Sequence, residues 1–232
     1  MAYLLSHCLY LLDGLKGTLL ICATTIPVSL VLGVLGGAAG FYRIPVLTQI
    51  LRVILEIVRN TPLYLQLVLV FFALPSIGIR FSPFLSGFLT LSVWGGVYNS
   101  ENFRAGFEAV DQHIIEGAEA VGLTQPQTFL YAVLPIGLRI AFRSVLNTSI
   151  ALVKDSSYLV AVGYLEATNA VYSLVNLDFR VTPLFAFLAI VYLGLVWGLS
   201  RAAALLERRL MRPYDLTAAG PQKHLEQAWE LQ

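Results

Sequence analysis

Uncharged stretches long enough to cross a bilayer alternate with short charged breaks along this chain. Residues 17–42 run for 26 positions without a charge. At ~1.5 Å of rise per residue such a helix outreaches a ~30 Å hydrocarbon core, so it spans with tilt. Pro27 is expected to kink it. Further uncharged runs cover residues 61–79, 81–100 and 181–200. Another candidate, 135–155, carries Arg139 and Arg143 in its first half, where long side chains snorkel towards headgroups. The pattern predicts an all-α membrane protein with five transmembrane helices, at about residues 17–42, 61–79, 81–104, 135–155 and 181–203.

The connections are read from what separates these runs. Residues 43–60, with Arg43, Arg52, Arg59 and Glu56, form a first basic connection. Residues 158–165 are too short to span, which leaves a re-entrant, interfacial or bundle-continuing segment. Residues 166–180 are expected to be an external connection, with Glu166 either a solvated carboxylate or a contact for another protein. The tail, 213–232, is polar and expected to be frayed or a short amphipathic helix. Orientation follows from basic residues near span ends. With the N-terminus outside, eleven Lys and Arg fall inside and four, Lys16, Arg80, Lys154 and Arg180, fall outside. The C-terminus and residues 116–135 are then cytoplasmic.

Residues 116–135, EGAEAVGLTQPQTFLYAVLP, are only moderately apolar and sit between greasy runs. Glu116, Ala118, Glu119, Ala120 and Val121 suit a short helix that ends at Gly122, the residue type that tolerates a left-handed turn. Thr124 is placed to cap a second helix, with Pro126 in its first turn and Gln127 at the capping-box position. Leu123, Phe129, Leu130 and Val133 offer apolar anchors for a groove in a partner. The segment therefore reads as a cytoplasmic docking element. An ordinary connection between two membrane helices is the competing reading, although most such loops are shorter.

Composition sharpens the class. The 232 residues are 57% hydrophobic and 12% charged, about half the ~25% charge of ordinary soluble domains. A net charge of +1 gives no field for nucleic acid. Cys8 and Cys22 are expected to be small packing residues. His7, His113 and His224 have no metal-binding spacing. The N-terminus lacks a basic stretch and a small-residue cleavage site, so no removable signal peptide is expected. No glycine-rich phosphate loop with Lys is present, so ATP hydrolysis by this chain is not expected.

The docking segment resembles the EAA loop of ABC importer permeases, EAA-x3-G-x9-I-x-LP. Glu116, Ala118, Gly122, Leu134 and Pro135 fall on the pattern, while Gly117 and Ala132 replace the usual Ala and Ile. Three further stretches resemble signatures of the permeases for polar amino acids. RNTPLYLQL (residues 59–67) matches R-G-T-P-x-x-x-Q-L with Asn60 for Gly. YNSENFRAGFEAV (98–110) matches Y-x-x-E-x-F-R-A-G. LVKDSSYLVAVG (152–163) matches L-x-K-D-[ST]-S-L with Tyr158 for Leu. Together the likeness covers roughly residues 12–209. It implies the type I importer transmembrane fold, in the bacterial cytoplasmic (inner) membrane. It also implies two cytoplasmic ATPase subunits that bind ATP and Mg, a second permease copy or relative, and an extracytoplasmic binding protein that delivers an amino acid. No cofactor is expected on this chain. Glu116, Gly117, Ala118, Gly122, Leu123 and Phe129 are the expected ATPase-docking residues.

For the substrate pathway, ionisable and amide groups at membrane depth are the candidates, because they are costly there and tend to face water or the bundle. These are Asn99, Glu101, Asn102, Lys154, Asp155, Ser156 and Tyr158. Asp155 is expected to hold an α-amino group and Lys154 to attract a carboxylate, or else both lie at the outer interface. Glu101 and Arg104, three apart on a helix, read either as pathway groups or as a structural ion pair. Arg59, Thr61 and Pro62 are expected to anchor the second span, with Gln66 facing protein. The function expected is the permease of an ATP-driven amino-acid importer. The alternative is an ATPase-independent channel or secondary transporter. An intramembrane enzyme would need a catalytic set within the spans, and none was found.

Overall fold

The computed structural model describes residues 3 and 6–211, all of whose regular elements are helical. The 213–232 tail lies outside the described residues. The first helix, α1, runs Cys8–Phe41 and continues through Pro27. Then come α2 (Pro45–Asn60), the short α3 (Leu63–Val68) and α4 (Pro83–Glu108). Two short helices, α5 (Gln112–Ala120) and α6 (Gln125–Thr128), precede α7 (Leu134–Asp155). The chain ends in α8 (Ala167–Asp178) and α9 (Val181–Met211). Among the described residues, three helical stretches are long and apolar enough to cross a membrane: Cys8–Phe41, Gln125–Val162 and Val181–Arg208. A fourth crossing exists if the bent pair Thr48–Asn60 and Leu63–Ile77 is one span.

The region expected as a span at 61–79 is helical over Leu63–Ile77, and the basic connection before it is itself a helix, bent sharply against it. α2 meets the following helix at 104°. The reason is local. Pro62 has no N–H to give the carbonyl of Val58, one turn back. Gln66 supplies the missing donor from its side chain, with Nε2 giving to Val58 O and to Thr61 O, both at 2.9 Å. After α3 a π turn, Leu69–Ala73, leads into a 3₁₀ turn containing Pro75. The same device recurs at Phe129–Val133, where a π turn precedes Pro135. Shifting the hydrogen-bond register by one residue lets a helix pass a proline.

α4 is the axis of the bundle, packed between α1 and α7. Its buried residues are mostly small or polar, Ser86, Thr90, Ser92, Gly95, Gly96 and Asn99 among them, with Leu91, Phe103 and Phe107 adding apolar bulk. The glycine-rich part of α1 lies directly on it. A Cβ at Gly37 would come within 2.8 Å of Phe103 Cβ, and one at Gly106 within 2.9 Å of Ala141 Cβ on α7. Close backbone approach of this kind is what small residues permit where lipid supplies no hydrophobic drive between helices. Ser82 caps α4, accepting from Leu85 N at 3.2 Å.

Residues 166–180, expected as an external connection, form α8 and pack against α1 and α9. Glu166 is fully buried, not solvated. It caps α8 by accepting from Thr168 N (2.7 Å) and Asn169 N (2.6 Å), and takes a third bond from the Tyr192 hydroxyl at 3.1 Å. Burial pushes its carboxyl above the usual carboxylate range, and the backbone donors pull it back.

Candidate functional site

Two regions carry the candidate residues. The first is the docking segment. Asp111 caps α5, accepting from His113 N at 2.9 Å. The helix closes with Gly122 N donating to Glu119 O and Leu123 N to Ala118 O, the paired bonds that a left-handed residue allows. Gly122 takes φ +90. Gln127 Oε1 then accepts from the backbone and side chain of Thr124, both at 2.9 Å, which starts α6. Glu116 and Gly117 are exposed, Ala118 and Leu123 half-buried. A Cβ at Gly117 or Gly122 would meet no atom of this chain.

Phe129 and Val133, expected as outward anchors, turn inward. Phe129 stacks among Phe41, Tyr42 and Phe107, with ring centroids 5.2–5.8 Å apart, and Val133 is buried. Tyr42 also donates to Gln125 O at 3.2 Å. The docking segment is thereby fastened to the end of α1. Its apolar outward face is instead Val121 (79% exposed), Leu130 (53%) and Tyr131 (66%).

The second region is a cleft of about 440 Å³ beside the α2–α3 corner, lined by Arg59, Asn60, Thr61, Pro62, Leu63, Tyr64, Trp94, Tyr98, Asp155 and Tyr158. Four aromatic rings form its walls. Trp94 and Tyr98 lie 4.4 Å apart, and Tyr64 meets Tyr158 edge-on at 6.0 Å. The Arg59 guanidinium sits 5.4 Å above the Tyr98 ring. Asp155 is half-buried at the end of α7, and none of the described residues donates a hydrogen bond to its carboxylate. The cleft thus holds one cation and one anion with aromatic surface around them.

The structure separates the other expected pathway residues. Lys154 is exposed and does not line the cleft; Arg59 is the cation that does. Asn99 is fully buried and donates to Ser29 Oγ at 3.4 Å, joining α4 to α1. Asn102 donates to Thr148 Oγ1 at 3.0 Å, joining α4 to α7. The Ser156 hydroxyl is buried and bonds back to Val153 O. The two asparagines hold helices together, and Ser156 closes the end of its own helix. Glu101 lies in a different, polar cleft of about 670 Å³ under α2, which also contains Arg43, Arg52, Glu56, Arg59, Arg104 and Glu108. There Arg104 bridges Glu101 (3.0 Å) and Glu108 (2.8 Å). The sequence reading missed Arg59, Tyr64, Trp94 and Tyr98 as cleft residues. Their signal was present in the position of Arg59 and Tyr64 on either side of the Asn60-Thr61-Pro62 break.

Comparison with known proteins bears on the chain as a whole. A family model described as "Binding-protein-dependent transport system inner membrane component" matches residues 29–212. The probable glutamine ABC transporter permease protein GlnP of Bacillus subtilis is 32% identical over 212 residues, covering 90% of this chain and 97% of that protein. The glutamine transport system permease protein GlnP of Escherichia coli K12 is 29% identical over 202 residues, covering 86% and 92%. Among solved structures, an amino acid ABC transporter crystallised with histidines superposes with a TM-score of 0.83 at 22% identity, covering 90% of this chain and 97% of that one. An inward-facing MetNI methionine ABC transporter gives 0.77 at 20%, covering 88% and 98%.

Proposed function

We propose, on the premise that this chain belongs to the binding-protein-dependent transport system inner membrane component family, that it carries a neutral polar amino acid of the glutamine type inward through the Arg59–Asp155 cleft. As an ABC permease subunit it lends the pathway, and hydrolysis belongs to a separate ATPase subunit. The observation that carries the substrate reading is the pairing of charges in one aromatic-walled space. A free α-amino acid bears an ammonium and a carboxylate. Asp155 receives the ammonium and Arg59 the carboxylate, leaving Tyr64, Trp94, Tyr98 and Tyr158 to hold the side chain. Among the residues lining this cleft Asp155 is the single acid, so a second positive charge on the substrate has no partner.

The assembly follows from the same premise. Two ATPase subunits, which themselves bind ATP and Mg, dock on α5 and α6 of two permease copies, or of this chain and a relative. An external binding protein delivers the amino acid. Five spans carry the pathway, with the N-terminus outside and the C-terminus cytoplasmic, in a bacterial inner membrane.

The test uses the permease reconstituted in proteoliposomes with its ATPase and binding protein. Asp155→Asn removes the charge that an ammonium meets. A lost hydrogen bond to a charged group costs about 1.5–3 kcal/mol, so apparent affinity should fall by about 10- to 100-fold while the ATPase still co-purifies. Unaltered rate and selectivity would remove Asp155 from the site. Uptake that needs no ATPase would reject the importer in favour of a channel or secondary transporter.

A further inference from the structure

The two clefts are not independent. Arg59 lines both, and its guanidinium rests on Tyr98, the aromatic wall of the smaller one. Beyond it, the larger cleft opens under α2, towards the end of α4 that leads through Glu108 into the docking helices. From Tyr98 to Glu108 is ten residues, ~15 Å of helix. The smaller cleft therefore sits near the middle of α4 and the larger one at its docking end.

α2 is amphipathic in an inverted sense. Val46, Ile50, Val53 and Ile57, spaced at helical intervals, are exposed on its outer side. Gln49, Arg52, Glu56 and Arg59 line the cleft beneath it. A helix that shows apolar residues outwards and charges inwards covers a wet passage. That passage holds four arginines and three glutamates, Arg104 being held between Glu101 and Glu108. Mixed charge of this kind offers successive weak partners to both ends of a dipolar ion and holds neither strongly.

We infer that Arg59, resting on Tyr98, is the gate between the amino-acid cleft and an exit passage under α2, and that the amino acid leaves through this passage. This rests on the reading of the smaller cleft as the substrate site. The gate is suited to its task on three grounds. A cation on an aromatic face at a wet site is a weak contact and breaks readily. Arg59 sits at the 104° corner, so any change of that angle moves it. The carboxylate it would attract is the group that must pass. Substrate bound above competes with Tyr98 for the guanidinium and loosens the gate that retains it.

Thiol accessibility tests this in the reconstituted complex. Cys8→Ser and Cys22→Ala give a background without thiols. Glu56→Cys then reports the passage and Thr61→Cys, which lines only the smaller cleft, the space above the gate. A membrane-impermeant anionic methanethiosulfonate is added on the ATPase side. We expect position 56 to react fast and position 61 at least about tenfold more slowly, with glutamine protecting position 61. Arg59→Gln should remove most of that difference, and Arg59→Lys should restore part of it. Equal rates at 56 and 61 with Arg59 present overturn the gate, as does a slow rate at 61 that Arg59→Gln leaves unchanged. Reaction at 56 only from the binding-protein side overturns the exit direction. Failure of glutamine to protect position 61 strikes the substrate reading itself, and with it the gate.

Discussion

Gln66 illustrates how much one side chain settles at the residue scale. Its amide takes the place of the backbone N–H that Pro62 lacks, and so closes the end of α2. Gln66→Leu keeps the approximate size but replaces the amide with a hydrocarbon, and leaves the Val58 carbonyl without that donor. An unsatisfied buried carbonyl costs about 1–3 kcal/mol. The melting midpoint of the purified protein should fall, and amino-acid uptake should fall with it because Arg59 shares the corner. A midpoint equal to the parent's would mean that water replaces the amide there. Glu166 plays a comparable part at the start of α8, where three donors hold a carboxylate that the chain has wholly covered.

Among the elements, α5 and α6 are the least committed to the rest of the chain. Their attachment is the aromatic group around Phe129 and the Tyr42–Gln125 bond. Gly117 sits in the middle of α5 with open space where a Cβ would go. Gly117→Ala should stabilise that helix by about 0.8–1 kcal/mol and keep ATPase association, measured by co-purification. Gly122→Val differs, although its Cβ also meets nothing in this chain. A φ of +90 is unsuited to a β-branched residue, so the turn after α5 should be lost. Association with the ATPase should drop while the helical content by circular dichroism stays. Equal co-purification for Gly122→Val and the parent would detach this turn from docking.

For the whole molecule, the testable property is which end faces which compartment. Glu119 lies in α5 and Leu177, 72% exposed, near the end of α8. In the thiol-free background, Glu119→Cys and Leu177→Cys should be labelled by an impermeant reagent from opposite sides, position 119 from the ATPase side. Labelling of both from one side would overturn the five-span topology and return α7, the one proposed span between these positions, to a non-crossing role. The bent pair is a separate matter. A 104° corner between α2 and the helix that follows cannot be a single straight crossing.

The helices themselves were legible because lipid exposure demands unbroken apolar stretches, and the chain states those plainly at residues 17–42 and 181–203. The docking turns were legible too, since Gly122, Thr124 and Gln127 are local devices that act within a few residues. Family likeness was readable from the order and spacing of four motifs. The site was not. Asp155 and Tyr158 were picked out, but Arg59 is 96 positions away in sequence from Asp155 and meets its cleft only because Pro62 breaks the helix and Gln66 sets the corner. Lys154, next to Asp155 in the chain, falls outside the cleft because successive residues on a helix point about 100° apart. Glu166 reads as a loop acid until packing buries it. Local periodicity is written in neighbours, which is why the sequence alone determined the long apolar helices and the turns at 122–127, though not α2 or α8. Which charged groups share a cavity depends on how distant helices cross, and that is set by the glycine contacts of α1, α4 and α7, which only the folded arrangement reveals.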